Sequence, residues 1–227
     1  VPKPRNELAD LTAQQIYDTS IDVLRKAVSL RVKTSETTGT TTLRTDLTRG
    51  SGGDCVGTID DGRGAQMRVI EVGEQLWVKP NEQYWKSRER SGTSGGAVAE
   101  LFKGRYLYGH KDHKMLAPFA EWCSLSSLKT GMTSQDGPIG HLAKGEPTHI
   151  DGQLVVPIID SGANADEKVT VYVSATGTPY PLKIVEEGGG MSGTAEMSDY
   201  GKPVSPTPPP SDQALDVAKI EKAFEKV

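Results

Sequence analysis

Gly92-Thr93-Ser94-Gly95-Gly96 comes nearest to a catalytic motif in this chain, with the G-x-S-x-G form in which a strained strand-to-helix turn raises a serine hydroxyl. Such a turn needs a buried strand before it. The residues that precede it, Lys86-Ser87-Arg88-Glu89-Arg90-Ser91, read instead as a solvated loop. All four histidines follow Ser94, so the order of a serine-protease triad is absent. His110 and His113 stand three apart, a spacing that can hold a metal on one helical turn, but Lys111 and Lys114 oppose a cation and no third ligand is near in sequence. The adjacent acids Asp60-Asp61 and Glu186-Glu187 abut glycine turns, where paired carboxylates are ordinary solvated residues. No glycine-rich phosphate loop links a strand to a helix. The expectation is a protein that is not an enzyme, with no catalytic residue, metal or cofactor.

Cys55 and Cys123 are the only cysteines. An even count in a chain rich in glycine and threonine favours a disulfide, the alternative being two buried free thiols. Neither has a second ligand at zinc-finger spacing. The net charge of −4 mixes both signs along the chain, so no basic stripe is available for a phosphate backbone and nucleic acid is not an expected partner. No apolar run reaches the ~18 residues of a membrane span. The chain starts at Val1-Pro2-Lys3 without methionine, as a processed product would, so a removed leader is expected.

The elements that must position any site begin with one amphipathic helix. Thr12-Ala13-Gln14-Gln15 has the form of a capping box, and Ile16, Val23, Leu24, Ala27 and Val28 follow at helical spacing, with Tyr17 and Ile21 widening the face. From Ser29 the pattern alternates: Leu30 and Val32, then Leu43, Thr45 and Leu47, then Val56, Thr58 and Asp60. Hairpins are predicted at Val72-Gly73-Glu74-Gln75, at Ile150-Asp151-Gly152-Gln153, and between Lys168–Ser174 and Leu182–Val185, because glycine supplies the positive backbone angle of a tight turn. Short helices are predicted from Asn81 and over Met115–Cys123. Pro206, Pro208, Pro209 and Pro210 mark an extended linker. A last helix from about residue 212 carries Val217, Ile220, Phe224 and Val227 on one face, either packing on its own domain or meeting a protein partner. The resulting division is a tail over 1–9, a domain over 10–202, a linker over 203–211 and a helix over 212–227. A helix followed by a long meander gives a curved sheet whose concave face must be covered, and the covered space holds either a packed core or a ligand.

Three stretches together resemble a known family: Gly73-Glu74-Gln75-Leu76-Trp77-Val78-Lys79 near Trp85, Val171 to Gly177 with Pro179-Tyr180-Pro181-Leu182, and Met197 to Val204 leading into the prolines. They are similar to the actinobacterial LppX/LprG-type extracytoplasmic lipoproteins of the LolA/LolB-like group, over roughly residues 10 to 212. The resemblance implies an α+β fold: a strongly curved, eleven-stranded antiparallel half-barrel with helices across its concave face. It also implies a hydrophobic cavity for acyl chains and a cell-envelope location, anchored to the membrane surface by a lipid. The family's anchor cysteine is absent from these residues, so anchoring is expected only through a part removed from the chain. The cysteine pair, not general to the family, points to a subfamily with a different ligand or none.

The function expected on this basis is a carrier that holds a lipid or other apolar molecule, with Val169, Val171, Val173, Leu182 and Ile184 lining one wall. Trp77, Phe119 and Trp122 are expected at the rim or roof. The alternative is a protein-interaction or sensor module on the same fold, its groove filled by its own side chains.

Overall fold

The computed structural model describes residues 5–89, 102–133, 141–162 and 167–224. The Gly92–Gly96 motif and residues 225–227, predicted to end the last helix, lie outside them.

Helix α1 (Ala13–Lys26) starts where the sequence predicts: Thr12 Oγ1 accepts from the Gln15 amide at 3.2 Å, and the Gln15 side chain accepts from the Thr12 amide at 2.9 Å. Its buried stripe is Ile16, Tyr17, Ser20, Ile21 and Leu24; Val28 lies beyond the helix end and is exposed. A meander follows: β1 (Ser29–Thr38), β2 (Thr41–Gly50), β3 (Cys55–Asp60), β4 (Gln66–Val72) and β5 (Gln75–Pro80). Helix α2 (Glu82–Glu89) leads towards β6 (Tyr106–His110), and α3 (Ala117–Cys123) and α4 (Leu125–Thr133) come next. The second half holds β7 (Leu142–Lys144), β8 (Thr148–Ile150), β9 (Gln153–Asp160), β10 (Lys168–Ser174), β11 (Pro181–Gly188) and β12 (Met191–Ser198). After residues 202–210, which have no regular structure, come β13 (Ala214–Asp216) and α5 (Val217–Phe224).

These strands make one open sheet of thirteen, in the order β13-β6-β5-β4-β3-β2-β1-β12-β11-β10-β9-β7, with β8 also on β9. All pairings are antiparallel except that of β13 with β6. All three hairpins form as predicted, with Val72 opposite Gln75 and Ile150 opposite Gln153. Asp151 and Gly152 both have positive φ, 48° and 79°, as a two-residue hairpin turn requires. The third hairpin, β10–β11, carries a bulge: Tyr172 faces Lys183 but Val173 faces Pro181, so Leu182 is the extra residue. The fold is the α+β half-barrel implied by the resemblance, with thirteen strands in place of eleven, three of them only three residues long.

Three apolar clusters cover the helix-bearing face. Under α2, α3 and α5, Leu47, Ile59, Val69, Leu76 and Val78 of the sheet meet Trp85, Phe102, Leu116 and Val217. In the middle, Leu24 and Leu125 close over Leu30, Val32 and Met197. Under α1, Ile16, Tyr17 and Ile21 lie on Val156, Ile158, Val171 and Val173. Leu8 joins this last cluster and the Glu7 amide donates to the Ala175 carbonyl at 2.8 Å, so the segment read as a tail packs on the sheet from Glu7 onward.

The inward face of β3 is Cys55, Gly57 and Ile59, not the Val56, Thr58 and Asp60 series. Gly57 hid the period, and it is glycine for a reason: a Cβ there would overlap the Asp46 carbonyl of β2. The C-terminal segment also departs from expectation. The last helix begins at Val217, after a short strand that extends the sheet edge, and it packs on its own domain through Val217 and Ile220. Glu221 secures it by an ion pair with Lys114 and a 3.0 Å contact to His113 Nε2.

Cys55 and Cys123 are joined as a disulfide, which ties the end of α3 to the start of β3. Beside it Arg49, buried on the inward face of β2, donates through Nε to the Trp122 carbonyl at 2.7 Å, a cation set at a helix C-terminus. Among the described residues its charge has only carbonyl partners, Trp122 and Leu47, and burial lowers its pKa to about 10.

Candidate ligand-binding cavity

The concave face is filled under α2 and α3 but not between α1 and α4. Tyr17 and Ile21 descend from α1 and Leu128 and Met132 from α4, because each helix turns one stripe towards the sheet. Lys129 Nζ fixes the two helices to each other by donating to the Arg25 and Ala27 carbonyls at 2.8 and 3.1 Å, at the α1 C-terminus. Below them Val169 and Val171 of β10, Ile184 of β11 and Ala195 of β12 form the floor of a cavity of about 410 Å3. That volume lies within the ~300–1,000 Å3 usual for small-molecule sites.

The five residues expected in one wall do not all lie together. Val169, Val171 and Ile184 line the cavity together. Val173 lies one pleat further along β10 and is sealed in the core beneath α1. Leu182, the bulged residue, is only partly buried and lines none of the cavities described here. Phe119 and Trp122 roof the sheet, but over the filled half beside Tyr84 and Trp85. Trp77 needs correction: Leu76 and Val78 point to the helices, so Trp77 points to the opposite face, where its ring stacks on Tyr108 at 5.7 Å. Leu128 and Met132 were missed by the sequence reading, although Leu125, Leu128 and Met132 recur at helical spacing.

Two further cavities flank the filled half. One, of about 710 Å3, lies over Thr45, Ile59 and Met67 and shares Thr34 with the first. The other, of about 500 Å3, has mixed walls, with Glu71, Lys111, Cys123 and Leu125 among them. The two histidines three apart do not converge: His113 turns to Glu221, while His110 lies near Glu74 and Asp112, all three exposed. Lys111 Nζ, 3.1 Å from Glu74, competes for that group. Glu186 and Glu187 point to opposite faces of β11.

Glu71 is buried on the inward face of β4, and its Oε2 has no hydrogen-bond partner among the described residues. Burial pushes its carboxyl up to about 7, against the pull of Lys111, whose Nζ is 3.7 Å from Oε1. The folded protein thus holds this proton to higher pH than the unfolded chain, where glutamate titrates near 4.5. The stability that proton carries is present in full below about 4.5 and is lost as pH rises through about 7. We expect Glu71→Gln to remove this slope and, above pH ~7, to exceed the parent by about 1–2 kcal/mol once screening is allowed for. Urea unfolding across that range tests it; a parent whose stability does not fall there contradicts the assignment.

No family model matches the chain, and no curated protein matches it in sequence. Solved structures do. The lipoprotein LppX of Mycobacterium tuberculosis superposes with a TM-score of 0.52 at 17% identity, over 87% of this chain and 99% of LppX. LprF of Mycobacterium bovis gives 0.55 at 13% identity, over 92% of this chain and 99% of LprF. The chain has the LppX fold. At these identities the likeness concerns the backbone, and the disulfide, the filled half of the groove and the α1–α4 cavity are read from this chain's own residues. Within the described residues no helix is long and apolar enough to cross a membrane.

Proposed function

We propose that the protein is a non-enzymatic carrier of the cell envelope that holds an acylated or otherwise apolar molecule between α1, α4 and strands β10–β12. The observation that carries this reading is the apolar cavity of about 410 Å3 whose side chains come from two separate helices and four strands. Covering a few hundred Å2 of acyl chain there, at ~25 cal/mol per Å2, stabilises the complex by several kcal/mol before ordering costs. The LppX fold and the Cys55–Cys123 disulfide support an extracytoplasmic location, since disulfides persist in oxidising compartments. LppX is a lipoprotein, and we extend to this chain attachment to the membrane surface through a lipid.

The interaction-module alternative draws on a different observation. Trp85, Phe102 and Leu116 fill the concave face under α2 and α3, which is how a groove closed by its own side chains is built. The two readings part in one experiment: native mass spectrometry with organic extraction of protein purified without detergent from its own host, followed by uptake of a fluorescent acyl probe. Discrete adducts in the lipid mass range and saturable uptake are expected. A clean apo mass with no uptake transfers the argument to the interaction module.

A further inference from the structure

One rung of the sheet crosses the mouth of the α1–α4 cavity on its inward side. Glu36 of β1 faces Gly193 of β12, Gly193 faces Glu186 of β11, and Glu186 faces Val169 of β10. Glycine in the middle leaves a gap that both neighbours lean over: a Cβ at Gly193 would lie 3.7 Å from Glu186 Oε2 and 3.8 Å from Glu36 Cγ. The two strands bearing these glutamates are about 10 Å apart, two strand spacings, so their carboxylates can both reach a single group held over Gly193.

Both glutamates line the cavity, and no lysine, arginine or histidine among the described residues does. Neither makes an ion pair among the described residues. The opening continues outward past Glu167, where Lys168 is the one base among its described walls and stands opposite Glu187 in the ladder register. One pleat inward the floor becomes apolar, with Ala195, Ile184 and Val171 in successive strands. Two like charges facing one gap repel unless a cation lies between them.

We propose, resting on the carrier reading, that this site selects amphiphiles with a cationic head: the apolar chain lies on Val171 and Ile184 under α1, and a protonated amine or quaternary ammonium sits over Gly193 between Glu36 and Glu186. Anionic heads, carboxylates and phosphodiesters alike, meet repulsion at the same point. Because the carboxylates are exposed at the mouth, the discrimination is electrostatic and screened by salt.

The test uses the full chain and three probes that share a dodecyl chain: dodecyltrimethylammonium, dodecyl maltoside and dodecyl sulfate, each below its micelle concentration. Each displaces a neutral fluorescent apolar probe. At low salt the ammonium is expected to bind about tenfold more tightly than the sulfate, with the maltoside between them, and ~0.5 M salt reduces that ratio to within about twofold. In E36Q/E186Q the ratio falls to within about twofold at low salt. Equal affinity for ammonium and sulfate in the parent, a ratio insensitive to salt, or a ratio retained in the double variant overturns the head-group assignment while leaving the carrier reading in place. Failure of all three probes to bind removes both.

Discussion

Replacing Cys55 and Cys123 together by serine is expected to destabilise the protein by about 4 kcal/mol. The bond joins residues 68 apart, so its loss frees a long loop in the unfolded chain, and the entropy of closing such a loop is of that size. For a chain of this length it corresponds to a fall in Tm of roughly 10 °C. The native state is affected as well, because α3 rests on β3 through this bond and on β2 through the Arg49 to Trp122 hydrogen bond. Without the disulfide, Phe119 and Trp122 are held only by packing and by Arg49. Denaturant unfolding of C55S/C123S against the oxidised parent measures the effect. A loss under about 1 kcal/mol shows that the apolar cluster beneath α3 holds it without covalent help.

The second large effect is functional. Val171 is nearly buried, pairs across the ladder with Ile184, and lies beneath Tyr17 and Ile21 in the floor of the cavity. Val171→Trp sends an indole into the space assigned to the ligand, and we expect uptake of a fluorescent acyl probe to fall more than tenfold. Overpacking of this kind costs about 1–3 kcal/mol where a core is full, and less where a cavity receives the added atoms. A folded Val171→Trp variant with unchanged uptake removes the α1–α4 cavity as the binding site. Trp77→Ala supplies the control: Trp77 lies on the opposite face, against Tyr108, and its removal is expected to leave uptake within twofold.

The sequence makes plain those features that local chemistry decides. Thr12 and Gln15 reveal the start of α1, and Gly73 and Gly152 mark two hairpins, because a cap or a positive φ is written in a few adjacent residues. Facing direction is harder to read. In Leu76-Trp77-Val78 three apolar residues run together, so alternation does not say whether the tryptophan points in or out; β6 on one side and α2 and α3 on the other settle it. Leu182 continues the period of Ile184 in sequence but loses it at a bulge, which shows only once β10 is laid alongside. Strand β13 is three residues whose partner, β6, lies about a hundred positions earlier; nothing local in Ala214-Leu215-Asp216 announces it. Of the cavity, the Val169, Val171 and Ile184 floor was legible from alternation, whereas Leu128 and Met132 belong to a helix that begins just past the end of the predicted one.

The position of β1 has a consequence for how the molecule is made. It is the first of the described strands, yet its neighbours are β2, which follows at once, and β12, which begins more than 150 residues later. The middle of the sheet cannot be completed until the more than 150 residues between these two strands have emerged, and pairings of such long sequence separation place this chain among slow folders. The first half can collapse as a meander, but β1 then presents a bare edge until β12 arrives. Strand β1 therefore needs shielding from other chains for as long as β12 is missing.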